Sequence, residues 1–121
     1  TVLGAVLQLR PDSAATIRAR MDDLAARRAE KQPLDMPSAG STFKRPAGYF
    51  AGKLIQDAGL RGFSVGGAQV SQKHTGFVVN AGGATAAEVR ELIAQVQQRV
   101  FENEGVRLDP EVRMWGFADG Q

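Results

Sequence analysis

Thr85-Ala86-Ala87-Glu88 has the form of a capping box, in which a threonine hydroxyl and a glutamate three residues on satisfy free backbone N–H groups at a helix start. Behind it, Val89, Leu92, Ile93, Val96 and Val100 recur at helical spacing, and the helix is expected to run to about Glu104. Gly105 then stands where a left-handed residue would close it. A helix with both ends fixed and one apolar stripe must bury that stripe, so this segment is read as core packing with no chemistry of its own. The surface it packs on is expected to be a sheet. Residues 62–71 are β-like, with Phe63, Val65 and Val70, and residues 77–80 form an apolar strand ending in the turn Asn80-Ala81-Gly82-Gly83. The fold class that follows is α+β, a small mixed sheet packed by two long helices and one short helix.

The remaining elements are read in the same way. Residues 2–10 carry Val2, Val6, Leu7 and Leu9 before Pro11, and predict a strand too apolar for an exposed edge. A helix is predicted over 13–30, capped by Asp12 or Ser13, with Ile17, Met21, Leu24 and Ala25 on one face. Arg18, Arg20, Arg27 and Arg28 lie mostly off that stripe and read as a solvated face. Pro33 and Pro37 are expected to keep the next stretch extended. A short helix is predicted over 49–58, buried through Leu54 and Ile55, with Gly59 as its cap. Its N-terminus, close behind Arg45, would suit an anion. Gly66-Gly67 suggests a bulge or tight bend and lacks the Gly-x-Gly-x-x-Gly spacing of a dinucleotide site. A last strand is expected over 106–108, broken at Pro110 and resumed over 111–116 with Glu111, Arg113 and Trp115 on one side.

Residues 37–46, Pro-Ser-Ala-Gly-Ser-Thr-Phe-Lys-Arg-Pro, are the stretch least like core, because Phe43 is their one large apolar side chain. They read as an irregular loop or short strand presenting a hydroxyl, Ser41, and two cations, Lys44 and Arg45. Gly40 permits close approach of a ligand or a positive φ, and Pro46 restricts Arg45 to extended backbone. Composition narrows the classes that could use such a loop. The absence of cysteine rules out disulfides, thiolate metal sites and cysteine nucleophiles. A net charge of +2 without a basic stripe argues against a nucleic-acid binder. No apolar run approaches a membrane span, and the first residues lack the pattern of a signal peptide. Thr1 is not an initiator methionine, which leads us to expect a piece of a longer protein.

Gly40-Ser41-Thr42-Phe43-Lys44-Arg45-Pro46 is followed by Phe50-Ala51-Gly52-Lys53-Leu54-Ile55-Gln56-Asp57-Ala58-Gly59-Leu60-Arg61-Gly62. Then come Gly66-Gly67-Ala68-Gln69-Val70-Ser71-Gln72-Lys73-His74-Thr75-Gly76-Phe77-Val78-Val79-Asn80 and Leu108-Asp109-Pro110-Glu111-Val112-Arg113. In this order and at this spacing the motifs resemble the C-terminal part of UDP-N-acetylenolpyruvoylglucosamine reductases, also called UDP-N-acetylmuramate dehydrogenases. The likeness is to the shorter branch of that family, whose loop carries arginine where the longer branch has asparagine.

The resemblance implies a bacterial, cytoplasmic enzyme of peptidoglycan synthesis. Such an enzyme uses FAD, reduced by NADPH, to convert UDP-N-acetylglucosamine enolpyruvate to UDP-N-acetylmuramate. It implies that residues 1–32 end the flavin-binding portion and that 33–121 form the substrate-binding domain. The FAD-binding portion would then lie outside this chain, which would be inactive alone. By the matching motifs, Ser41 would be the general acid and Glu111 would assist at the enol stage. Lys31, Lys44, Arg45 and His74 would contact substrate. No metal is implied. The rival from another class is a non-catalytic sugar-nucleotide-binding module on the same fold; the presence of both Ser41 and Glu111 argues against it.

Overall fold

The computed structural model describes residues 1–118. The chain divides into two compact units, Thr1–Glu30 and Lys31–Gln121. In the first, residues 1–13 adopt no regular structure and lead into α1 (Ala14–Lys31). Ser13 caps that helix, its hydroxyl accepting the Thr16 N–H at 3.2 Å. The expected strand over 2–10 does not form. Strand patterning describes side chains, whereas a strand exists only where a neighbour pairs its backbone, and Val2, Leu3, Val6 and Leu9 are exposed. The solvated arginine face holds: Arg18–Asp22 and Arg27–Asp23 are exposed pairs one turn apart, worth a few tenths of a kcal/mol each, roughly. The apolar stripe Ile17, Met21 and Leu24 stays exposed too, and α1 buries no residue.

The second unit is built on the capped helix, α3 (Ala86–Glu104). The capping box is present in both directions: Thr85 accepts from the Glu88 N–H, and the Glu88 carboxylate accepts the Thr85 N–H at 2.9 Å. The Thr85 backbone N–H, with that of Gly67, holds the Glu88 carboxyl below the ordinary glutamate range. Gly105 closes the helix at φ 68°. Leu92, Ile93, Val96 and Val100 are fully buried, as the stripe requires.

They pack on a four-stranded sheet of order β1-β4-β3-β2, where β1 is Ser38–Ser41, β2 Ser64–Val65, β3 Ala68–Val70 and β4 Phe77–Asn80. All three pairings are antiparallel, so the sheet is not mixed; the α+β class stands. β2 and β3 form a hairpin through Gly66-Gly67, which is the tight bend expected there. α2 (Ala51–Asp57) is the short helix and buries Leu54 and Ile55 in the same core, with Leu60, Phe43 and Leu108. Residues 34–36 turn instead of running extended: the Met36 N–H reaches the Pro33 carbonyl at 3.3 Å.

Residues 106–116 form no strand beyond one isolated bridge, Phe43 to Pro110. Pro110 has no N–H, and the ladder cannot propagate through it. The segment is held by single bonds instead. The Gln97 side chain donates to the Leu108 carbonyl at 2.8 Å, and the Lys44 N–H donates to the Asp109 carbonyl at 2.8 Å.

Candidate functional site

Thr42 is the pin of the site. Its N–H donates to the Gly76 carbonyl at 2.9 Å, and its carbonyl accepts the Glu111 N–H at 2.8 Å. Its hydroxyl oxygen accepts the Val78 N–H at 2.9 Å, beside the stretch where the β1–β4 register shifts. One buried residue thus ties the end of β1 to the 74–76 turn and to the segment carrying Glu111. Ser41 and Glu111, 70 positions apart in the chain, are brought to either side of it. Thr42→Val keeps the shape and leaves the buried Val78 N–H without an acceptor. We expect a loss of about 2 kcal/mol, read from urea unfolding midpoints at unchanged slope; a neutral substitution would remove Thr42 from this role.

Ser41 opens onto a cavity of about 620 Å³. Its walls are Phe43 and Arg45 from the loop, Phe50 to Lys53 with Gln56 and Asp57 from α2, Arg61, and the 74–76 turn. α2 approaches that turn closely: the Thr75 hydroxyl donates to the Gly52 carbonyl, and a Cβ on Gly52 would lie 3.4 Å from that hydroxyl. Here the glycine serves helix-to-turn packing, and the packing shapes the cavity floor. His74 accepts the Gly76 N–H through Nδ1 at 3.0 Å and sits edge-on to Phe77, with ring centres 4.9 Å apart. A neutral ring in that pose carries its proton on Nε2. Arg45 lies with its guanidinium carbon 4.0 Å from the centre of the Phe50 ring, and its Nε donates to the Tyr49 carbonyl at 3.3 Å.

Of the six residues singled out from the sequence, Ser41, Arg45 and His74 line this cavity. Glu111 is exposed and joined to it through Thr42. Lys44 follows Phe43 in an extended stretch and does not line the cavity, while its neighbour Arg45 does, as alternation dictates. Lys31 ends α1, exposed, and is not a wall residue either. Sequence reasoning missed the far wall. Arg61 donates to the Gln72 carbonyl and, at 2.8 Å, to Gln56 Oε1, strapping α2 to the 72–76 segment. Lys53 pairs with Asp57 at 2.9 Å, and that hydrogen bond raises the lysine pKa. The i,i+4 pair was readable from spacing; the Arg61 strap, which spans eleven positions, was not.

A second cavity of about 500 Å³ lies between β1, β4, α3 and residues 112–117. Its lining is more apolar, and among the described residues Arg90 and Arg113 are its charged groups.

The family model described as the C-terminal domain of UDP-N-acetylenolpyruvoylglucosamine reductase matches residues 32–115. The chain belongs to that family. A UDP-N-acetylenolpyruvoylglucosamine reductase of Clostridium perfringens is 60% identical over 115 residues, covering 95% of this chain and 38% of that protein. One of Agathobacter rectalis is 62% identical, with 95% and 37% covered. The crystal structure of the UDP-N-acetylenolpyruvylglucosamine reductase of Thermus caldophilus aligns at a TM-score of 0.72 and 35% identity. It covers 90% of this chain and 38% of that one. The chain therefore spans less than two-fifths of the length of the relatives it matches, and the α+β fold is the one their C-terminal domain uses. Among the described residues no helix is long and apolar enough to cross a membrane.

Proposed function

We propose that this chain is the substrate-binding part of a reductase that converts UDP-N-acetylglucosamine enolpyruvate to UDP-N-acetylmuramate in the bacterial cytoplasm, for peptidoglycan synthesis. The observation that carries this reading is the Thr42 pin, which gathers the Ser41 and Glu111 motifs beside a cationic cavity in a chain of this family. Beside Phe43, Phe50 and Asp57, the cavity walls carry the Ser41 and Thr75 hydroxyls, the Gln56 amide and the cations Arg45, Lys53 and Arg61, which suit phosphate and carboxylate groups. With Arg45, Lys53, Asp57 and Arg61 among these walls, the groove is not the uniformly apolar slot that a flavin ring needs. FAD would be held by a portion outside these residues, to which residues 1–32 would also belong; the exposed apolar side chains of 2–24 fit that assignment. When bound, FAD would supply a hydride equivalent drawn from NADPH.

This chain's residues handle the rest. Addition of hydride to the terminal vinyl carbon leaves negative charge on the neighbouring carbon and its carboxylate. Ser41 gives that carbon its proton, and the serine oxygen is reprotonated from water. A serine is a weak acid, yet a carbanion-like carbon is a stronger base, and the transfer runs downhill when the hydroxyl is held close. Glu111 assists at the enol stage, as a donor or as an electrostatic organiser of the charge that develops there. Arg45 and His74 hold anionic groups of the substrate in the cavity. Lys44 and Lys31 would reach the substrate only from outside the cavity wall.

The test is a chimera in which this chain replaces the matching part of the Clostridium perfringens relative. We expect flavin-loaded protein that sustains NADPH oxidation beyond one flavin equivalent only when UDP-N-acetylglucosamine enolpyruvate is added. A chimera that holds flavin and binds the sugar nucleotide without turnover would make this chain a binding module. The isolated chain should be colourless; a yellow, flavin-loaded chain would overturn the placement of FAD.

A further inference from the structure

Phe50 is hard to explain as part of the fold. The residue is 60% exposed, at the start of a helix that buries only Leu54 and Ile55. It occupies the N-cap of α2, at φ −112° and ψ 124°, and makes no side-chain cap bond. Serine, threonine, aspartate or asparagine would serve that position better, because each can accept a free helix N–H. The ring therefore stabilises neither the core nor the helix start.

Its partner is Arg45. The guanidinium carbon stands 4.0 Å from the ring centre, and Nε donates to the carbonyl of Tyr49, the residue before Phe50. The local chain makes this contact. Pro46 and Gly48, with φ 77°, turn the backbone so that the Tyr49 N–H reaches the Pro46 carbonyl at 3.1 Å. That turn carries Phe50 back under the residue five positions before it. A guanidinium is planar, and its face is what the ring attracts. With the ring against its guanidinium carbon and Nε engaged, Arg45 keeps two terminal nitrogens for a ligand, and it lines the cavity. A free arginine loses much rotamer freedom when it grips a ligand. Here that freedom is given up before the ligand arrives.

We propose that Phe50 is a positioning residue for Arg45, holding its guanidinium edge toward the cavity as a preset receiver for a phosphate or carboxylate. This rests on the reading of Arg45 as a ligand contact, and the experiment separates the two. The 121-residue chain is titrated calorimetrically with UDP-N-acetylglucosamine enolpyruvate and, separately, with inorganic pyrophosphate. We expect Arg45→Ala to weaken binding at least about tenfold. Phe50→Leu weakens it about three- to fivefold, the scale of an exposed cation–ring contact, and Phe50→Tyr restores it. Phe101→Leu, at another exposed phenylalanine, leaves it unchanged. In NMR spectra the Arg45 side-chain resonances, shifted by the ring, return toward ordinary values in Phe50→Leu and not in Phe50→Tyr. If Arg45→Ala weakens binding and Phe50→Leu neither weakens it nor moves those resonances, the positioning role is wrong while Arg45 stands as a contact. If Arg45→Ala leaves both affinities intact, or the chain binds neither probe, the ligand role of Arg45 falls and the proposal with it.

Discussion

Ser41→Ala in the chimera is expected to lower turnover by about 10²- to 10⁴-fold, the usual contribution of a positioned proton donor. The affinity for the sugar nucleotide should stay within about twofold, since an interaction made only in the transition state leaves ground-state binding alone. The structure makes this a clean substitution. Ser41 is exposed at the end of β1, and its neighbour Thr42 carries the bonds that fix the backbone there. Removing one hydroxyl oxygen from Ser41 should therefore leave the fold intact. Stopped-flow absorbance resolves the outcome. Flavin reduction by NADPH should keep its wild-type rate, and flavin reoxidation by the enolpyruvyl substrate should slow. Equal slowing of both phases would mean that Ser41 acts through structure, and unchanged reoxidation would transfer the proton donor's role elsewhere. Thr42→Val is the useful contrast, because it should cost stability with Ser41 still present.

The parts of this fold legible in the sequence were those with local causes. α3 could be read end to end, because a capping box, a stripe and a terminal glycine each act within a few residues. The β2–β3 bend followed from Gly66-Gly67, and β4 from a dense apolar run. Long-range requirements stayed hidden. Residues 2–10 have strand composition and no backbone partner, and residues 106–116 have alternation interrupted at Pro110. In both cases the pattern described side chains, and pairing was decided by N–H groups.

The candidate site divides in the same way. Ser41, Arg45 and His74 sit in motifs with a known likeness, and the structure lines one cavity with all three. Thr42 belonged to the same motif and attracted no attention, although it connects Ser41 to Glu111. Its function is to accept a hydrogen bond from a residue 36 positions away, which no spacing rule encodes. Arg61 was missed for a like reason. Phe50 falls within the helix expected over 49–58, and the turn at Gly48 folds it back on Arg45.

Gly67→Ala should destabilise the chain by about 3 kcal/mol, at the upper end of the usual cost of overpacking. A Cβ there would stand 2.7 Å from Ala84 N and closer still to the Gly82 carbonyl oxygen. All of these atoms are backbone, in the turn that delivers the chain into α3, so they cannot swing away. Gly66→Ala is different in kind. Its φ of 54° is strained for alanine, and its Cβ would meet the Glu88 carboxylate, the far end of a flexible side chain. That carboxylate can move, though doing so gives up its bonds to the Thr85 and Gly67 N–H groups. A double-mutant cycle separates the two. In a Glu88→Ala background, Gly66→Ala should cost less than in the wild type, because the group it displaces is gone. Gly67→Ala should keep most of its cost in both backgrounds, because the atoms its Cβ meets are backbone and only the long 3.4 Å bond from its N–H ties it to Glu88. Urea midpoints give each value. A tolerated Gly67→Ala would mean that the hairpin and the α3 entry turn do not meet. Coupling of Gly67 to Glu88 in place of Gly66 would mean that the carboxylate, and not the backbone, fills that space.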